Sequence, residues 1–258
     1  MFRIFYVISY IHEQISQAIK AHIQAMMHQL QALILNITVA IICLPVAGAA
    51  ANRPSSKAIL PNMHVNALTQ DSLGYIWVGT SNGLGRDKGN GYDIFSPDKA
   101  NPATIPSNNI TALLYRNGTL WVATARGIAT KAAHSNEFTR YTVKSEKQHS
   151  EGYYRGFITY GGKLYTYGYN GLYEIDPENH LLIPRLQFNR RDIEAAAIAP
   201  DGKMWVTPGD ELICLDEKLN VKKIIALPDG ESLSAMLTDA PYILLGTQSG
   251  ILRFNPET

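Results

Sequence analysis

The feature that most constrains this chain is an internal repeat with a period near 40 residues. Residues 65–84 read VNALTQDSLGYIWVGTSNGL, and residues 110–128 read ITALLYRNGTLWVATARGI. Further copies follow at 157–172 (FITYGGKLYTYGYNGL), 193–213 (IEAAAIAPDGKMWVTPGDELI) and 234–251 (SAMLTDAPYILLGTQSGI). Aligned on one large residue, the copies place Trp77, Trp121, Tyr165, Trp205 and Leu244 at intervals of 44, 44, 40 and 39 residues. A glycine stands six residues after this anchor in four copies, as Gly83, Gly127, Gly171 and Gly250, whereas the fourth has Glu211. A unit this short cannot bury its own apolar faces, so neighbouring copies must stack.

Each copy obeys the same local grammar. A short apolar strand leads into a tight turn, and Asn117-Gly118, Gly161-Gly162 and Asp201-Gly202 are dipeptides that tolerate the positive φ of hairpin turns. A second strand follows, such as YIWVGT or LWVATA, with the alternation of a pleated strand. A Gly-closed turn then opens a third strand, and a variable connection reaches a fourth, as at Tyr92–Phe95 and Phe138–Tyr141. Four strands per repeat and no sustained helical period after residue 52 predict an all-β fold. The expected fold is a β-propeller with about five four-stranded blades, near 65–95, 110–141, 157–176, 193–216 and 234–254. The ring is expected to be incomplete, with the fifth copy reaching Arg253-Phe254-Asn255-Pro256 before a last strand. Two uncovered faces of ~400 Å² each would forfeit ~20 kcal/mol at ~25 cal/mol per Å², as much as the whole net stability of a domain.

Residues 1–51 form a separate leader. Phe5, Ile8, Ile11, Ile15, Ile19, Ile23 and Met26 recur at helical spacing, and residues 33–51 carry no charge. Ala47-Gly48-Ala49 and Ala49-Ala50-Ala51 satisfy the small-x-small rule for signal cleavage. The uncharged run, interrupted by Asn36, Thr38 and Pro45, is marginal against the ~20 apolar residues of a spanning helix. A signal peptide or an N-terminal membrane anchor through residues 33–51 is expected, with residues 52–258 outside the cytoplasm. Cys43 belongs to the leader, so cleavage would leave Cys214 alone. The formal net charge of +1 offers no nucleic-acid footprint.

The string Val65…Gln70-Asp71…Gly74-Tyr75-Ile76-Trp77-Val78-Gly79-Thr80…Asn82-Gly83-Leu84 resembles the two-component regulator propeller repeat, as does the Pro106-Ser107-Asn108-Asn109-Ile110 lead-in to the second copy. The resemblance covers residues 65–254, is most specific in the first two copies and is weakest in the third. It implies a periplasmic sensor half of a bacterial transmembrane signalling protein. In that family the propeller is usually followed by an immunoglobulin-like domain, a membrane helix and a histidine kinase or diguanylate cyclase. Rings of seven blades are general there, so five copies imply truncation before the transmembrane and output parts.

Few residues point to chemistry. The recurring tryptophans read as packing between blades rather than as platforms for sugars or bases. Asp71 and Asp201 sit at hairpins, where capping the turn is the first reading and Ca²⁺ ligation the second. His64, His134, His149 and His180 form no close ligand pair, and no phosphate-cradling glycine motif or G-x-S-x-G elbow is present. No metal or cofactor is expected. The exception is a local deviation in copy three, where Tyr165, Tyr167 and Tyr169 alternate. The position of Tyr167 is Gly79, Ala123, Thr207 and Gly246 elsewhere, so its phenol must fill a gap or project into a channel. Tyr167 and Tyr169 are therefore the candidate ligand-binding residues. The reading is a non-catalytic, ligand-binding sensor for a small molecule or glycan. The alternatives are a stand-alone lyase or hydrolase propeller, since the streptogramin lyases have similar blades, and a protein-interaction scaffold. The repeat leaves the oligomeric state open.

Overall fold

The computed structural model describes residues 60–144, 152–189, 191–227 and 231–257. The expectations for the leader, residues 1–51, lie outside these. Every regular element among the described residues is a β-strand.

Blade one is β1 (Val65–Gln70), β2 (Ile76–Thr80), β3 (Gly83–Asp87) and β4 (Tyr92–Phe95), antiparallel in that order. Blade two repeats it with β5 (Ile110–Arg116), β6 (Thr119–Thr124), β7 (Gly127–Ala132) and β8 (Thr139–Arg140). The chain then makes the two-residue β9 (Thr142–Val143) before blade three, which is β10 (Tyr154–Tyr160), β11 (Lys163–Gly168), β12 (Gly171–Asp176) and β13 (Leu181–Gln187). Blade four is β14 (Ile193–Ile198), β15 (Met204–Pro208), β16 (Glu211–Leu215) and β17 (Val221–Ala226). Blade five has three strands, β18 (Leu233–Asp239), β19 (Tyr242–Thr247) and β20 (Ile251–Phe254). The fourth strands of blades three and four, β13 and β17, lie beyond the self-similar stretches at 157–176 and 193–216.

The first hairpin of every blade has an irregular register near its start, at Val65/Ala67, Ile110/Ala112, Tyr154/Gly156, Ile193/Ala196 and Leu233/Ala235. Recurrence at one place marks these bulges as part of the repeat, where they add twist to the inner strand. The inner strands β1, β5, β10, β14 and β18 contact one another in that sequence. Blades therefore stack face against face, and side chains on opposite sides of each pleated sheet serve different interfaces.

Four apolar layers hold the stack. Trp77 and Leu84 of blade one pack with Ile110, Leu120 and Val122 of blade two. Trp121 and Ile128 meet Tyr154, Tyr173 and Ile175 of blade three, and Tyr165 and Leu172 meet Met204, Val206 and Leu215 of blade four. Trp205 and Leu212 close on Leu233, Ile243 and Leu245 of blade five. The four buried anchors Trp77, Trp121, Tyr165 and Trp205 thus all point forward, each into the next blade. Burial of such aromatics contributes about 25 cal/mol per Å² of apolar area removed from water.

The two terminal faces carry exposed apolar side chains. On the leading face of blade one, Leu68 is 62% exposed and is joined by the half-exposed Ile76 and Ile94. On the trailing face of blade five, Leu237 and Ile251 are 64% and 73% exposed. These faces meet no further blade among the described residues.

One connection departs from simple repetition. β9 leaves the edge of blade two and pairs in parallel with β13, making blade three a five-stranded sheet. The Thr142 N–H donates to the His180 carbonyl at 3.1 Å and the Lys144 N–H to the Leu182 carbonyl at 2.9 Å. Elsewhere a side chain fixes the connection: the Arg140 guanidinium donates to the Thr104 carbonyl at 2.7 Å, Thr104 Oγ1 at 2.9 Å and the Ile105 carbonyl at 3.2 Å. Those bonds satisfy loop carbonyls that no strand ladder reaches.

Candidate functional site

Tyr165 and Tyr167 share one face of β11, as alternation requires, but Tyr169 lies in the turn beyond the strand. Tyr167 stands opposite Gly156 of β10, where the matching pairs elsewhere are Ala67 with Gly79, Ala112 with Ala123 and Ala235 with Gly246. A Cβ at residue 156 would lie 2.6 Å from Tyr167 Cζ and 2.9 Å from Cε1, and would also strike the hydroxyl. The missing methyl is therefore the space the phenol occupies. Tyr167 packs into the layer shared with Ala196 and Ile198 of blade four. Burial pushes its phenol up, against a hydrogen bond from the Ala196 backbone and the nearby charge of Arg155. Tyr169 is 39% exposed and covers Gly152. It sits beside Tyr153, whose carbonyl accepts the Tyr169 N–H and whose ring lies 4.9 Å from the Arg155 guanidinium carbon.

The same end of blades three to five holds a cleft of about 410 Å³, lined by Arg155, Glu194, Asp210, Glu231 and Ser234 among others. Arg155 donates to Glu194 at 2.9 Å, so the cation that lines the cleft among the described residues is already paired. Burial raises the Glu194 carboxyl, Arg155 opposes that, and Asp192 adds to it. Neither Tyr167 nor Tyr169 lines this cleft.

A larger cleft of about 520 Å³ opens between blades two and three, at the end where the first hairpin of each blade turns. Blade two supplies Arg116, Asn117, Thr119 and Trp121, and blade three supplies Lys163, Leu164, Glu174, Ile175, Asp176 and Glu178. Its existence follows from two positions of the repeat. In blade one, the residue paired across the sheet with the anchor Trp77 is Arg86, whose guanidinium carbon is 5.5 Å from the indole centroid. Lys131 of blade two approaches the same ring from the facing blade, also at 5.5 Å. Burial and Arg86 lower the Lys131 pKa, as expected of a cation held in an apolar layer. Between blades four and five, Phe254 covers Trp205 with ring centroids 4.9 Å apart. Over Trp121 the corresponding residues are the shorter Thr130 and Ile175, and although Tyr141 and Phe157 pack on the indole, space is left at the hairpin end.

Electrostatics divide this cleft. Glu174 accepts from Lys163 and Arg185, each at 2.7 Å. Burial raises its carboxyl, but those two hydrogen bonds outweigh burial and hold it below the usual glutamate value. Asp176 accepts from the N–H groups of Glu178 and Asn179, and the bonds from Asn179, side chain first, hold it low. Arg116 donates to Thr159 Oγ1 at 2.9 Å and pairs with no carboxylate among the described residues.

The hairpin aspartates cap turns. Asp71 accepts the N–H groups of Leu73 and Tyr75 and, at 2.8 Å, the indole Nε1–H of Trp77. Asp201 accepts both the backbone and the ammonium of Lys203. Among the described residues, no three His, Cys, Asp or Glu side chains gather as a metal site would require. The tryptophans are the packing anchors their recurrence implied. Missed from the sequence was the pairing of Gly156 with Tyr167. The signal was a glycine at 156 where other inner strands carry alanine.

The stack of four-stranded antiparallel blades defines the class as a β-propeller. Its first two blades carry a particular repeat, since the model of the two component regulator propeller family matches residues 59–82 and 104–126. Among solved structures, the chain is similar to the extracellular domain of the hybrid two-component system BT3049 from B. thetaiotaomicron. There the identity is 20% and the TM-score 0.65, over 76% of this chain and 29% of that one. The corresponding domain of BT4673 from B. thetaiotaomicron gives 16% identity and a TM-score of 0.61, over 73% and 26%. The virginiamycin B lyase of Staphylococcus aureus gives 14% identity and a TM-score of 0.53, over 76% and 71%. The chain therefore spans under a third of the length of the two extracellular domains. No curated protein matches it.

Proposed function

We propose that this chain is a ligand-binding sensor propeller of a bacterial signal-transduction protein, working outside the cytoplasm. The observation that carries the reading is the coincidence of regulator-type repeats in blades one and two with likeness to extracellular domains of hybrid two-component systems. Buried anchors and self-capped hairpins make the blades a rigid frame, and the clefts where blades meet are the places for a ligand. Neither candidate tyrosine lines either cleft, and Tyr169, exposed beside the Tyr153–Arg155 stack, would reach a ligand only from beside the cleft that Arg155 lines. Tyr167 acts from behind by holding blade three to blade four.

The test is a thermal-shift screen of the chain against polar metabolites and oligosaccharides. A ligand present at 100 times its Kd stabilises the native state by about 2.7 kcal/mol, roughly 5–10 °C for a protein of this size. A saturable shift by one chemical family supports the reading, and its absence across the library refutes it. The lyase reading rests on the shared blade architecture. Cleavage of a streptogramin B by the purified chain would put it in place of the sensor.

A further inference from the structure

The repeat supplies its own standard for what a groove between blades looks like when it is only structural. Between blades one and two, Arg86 and Lys131 lie against Trp77, and the indole N–H is satisfied by Asp71. Between blades four and five, Phe254 lies against Trp205, whose N–H is sealed from solvent. Between blades two and three Tyr141 and Phe157 pack on the Trp121 indole, with centroids 5.5 and 6.3 Å away, but no long side chain stands at either of those two positions. Trp121 is 7% exposed and lines the cleft, with Thr130 and Ile175 at the positions of the missing fillers. Its Nε1–H has no acceptor among the described residues, yet it is not one of the atoms sealed from solvent. A nearly buried donor with no protein partner, at the wall of an open cleft, is what a ligand-binding groove keeps and a packing groove does not.

The charges around the cleft select among ligands. Lys163 and Arg185 both hold Glu174, a group left with one positive charge, and beside it stand Arg116 on the blade-two wall and Asp176 with Glu178 on the blade-three wall. A simple anion would meet the carboxylates of Glu178 and of Asp176, the latter already bonded by Asn179 and near Lys144, and a simple cation would leave the guanidinium unanswered. A molecule carrying both charges satisfies both walls, because guanidinium pairs bidentately with carboxylate and ammonium pairs with Asp or Glu. Between the walls, Leu164, Ile175 and the edge of Trp121 form an apolar floor.

Resting on the sensor reading, we infer that the cleft between blades two and three binds a small zwitterion with an apolar group, a free hydrophobic α-amino acid or a short peptide. The carboxylate docks on Arg116 and accepts from the Trp121 N–H, the ammonium lies toward Asp176 and Glu178, and the side chain covers Leu164 and Ile175.

The test is calorimetric titration of the full chain with L-phenylalanine and L-leucine. Each is compared with its decarboxylated amine and its N-acetyl derivative. Saturable binding is expected, weakened about tenfold or more when either charge is removed, a tenfold change being about 1.4 kcal/mol. Arg116→Gln should lose that affinity with an unchanged melting temperature, and Arg116→Lys should recover part of it. Thr130→Arg, which places in blade two the filler that blade one carries, should abolish binding while the far-ultraviolet spectrum stays that of the native chain. No heat at millimolar amino acid, equal affinity for the bare amine, or an Arg116→Gln protein that binds like the original would overturn the inference. A thermal shift with an oligosaccharide and none with the zwitterions would overturn it while leaving the sensor reading standing.

Discussion

The contact between Gly156 and Tyr167 can be tested as an exchange of volume between two strands. Gly156 has no left-handed backbone requirement, so Gly156→Ala is penalised by contact alone. The new methyl would sit 2.6 Å from Tyr167 Cζ, inside any tolerable carbon–carbon distance. Overpacking of this kind costs about 1–3 kcal/mol. Tyr167→Ala empties the same space from the other side and costs about 3–5 kcal/mol, as aromatic-to-alanine changes in cores do. In the double variant the methyl meets no phenol, and the pair becomes Ala opposite Ala, as at Ala112 and Ala123 of blade two. Independent effects would sum to about 4–8 kcal/mol, whereas relief of the clash predicts about 3–5, a coupling of about 1–3 kcal/mol toward stability. Tyr167→Phe should rescue little, because Cζ and Cε1 remain in place. Equilibrium urea unfolding of the four proteins, with melting temperatures moving about 2–4 °C per kcal/mol, measures the cycle. A neutral Gly156→Ala or an additive double variant would show that the phenol is free of the gap, and the packing role would fall.

Two further outcomes follow from other contacts. Arg140→Met should cost about 2–4 kcal/mol, since the carbonyls of Thr104 and Ile105 lose a charged donor, and amide exchange should quicken in residues 98–105; unchanged exchange there would refute it. Glu174 titrates below its usual value, so it stabilises the fold above the unfolded glutamate pKa of about 4.3 and loses that contribution as pH falls through its lower folded value. Glu174→Gln should therefore lower the neutral plateau of a stability–pH curve and leave its low-pH end nearly unchanged, which flattens the acid limb, and an unaltered acid limb would contradict the pairing.

The blade order was legible because each anchor strand carries a large residue at one offset and each first hairpin a turn dipeptide or its substitute. Both are local signals that survive drift. The outer strands β13 and β17 were not, since LLIPRLQ and VKKIIA share no grammar, β17 having one partner and β13 gaining beyond β12 only the two residues of β9. Tyr167 was visible as an oddity, but its meaning required the register that brings Gly156 opposite, which a bulge shifts by one residue. Tyr169 was placed on the strand face by alternation, and the chain turns before reaching it. The cleft between blades two and three was hidden for a different reason. It is made by what Thr130 and Ile175 are not, and that shows only when the paired positions of neighbouring sheets are superimposed.

The two residues of β9 have a mechanical effect out of proportion to their number. Among the described residues β9 is the one strand that leaves its own blade to join the next sheet, whereas the seam between blades one and two is crossed by single main-chain bonds, from the Gly83 N–H to the Asn108 carbonyl and from the Phe138 N–H to the Ala103 carbonyl. Elsewhere, neighbouring sheets are held mainly by side chains, which can slide. Breathing of the arc should therefore concentrate at the other seams, and a guest lodged beside this stitch would meet walls of fixed spacing. Recognition there would be rigid, and any message it sends would have to leave through the looser joints on either side.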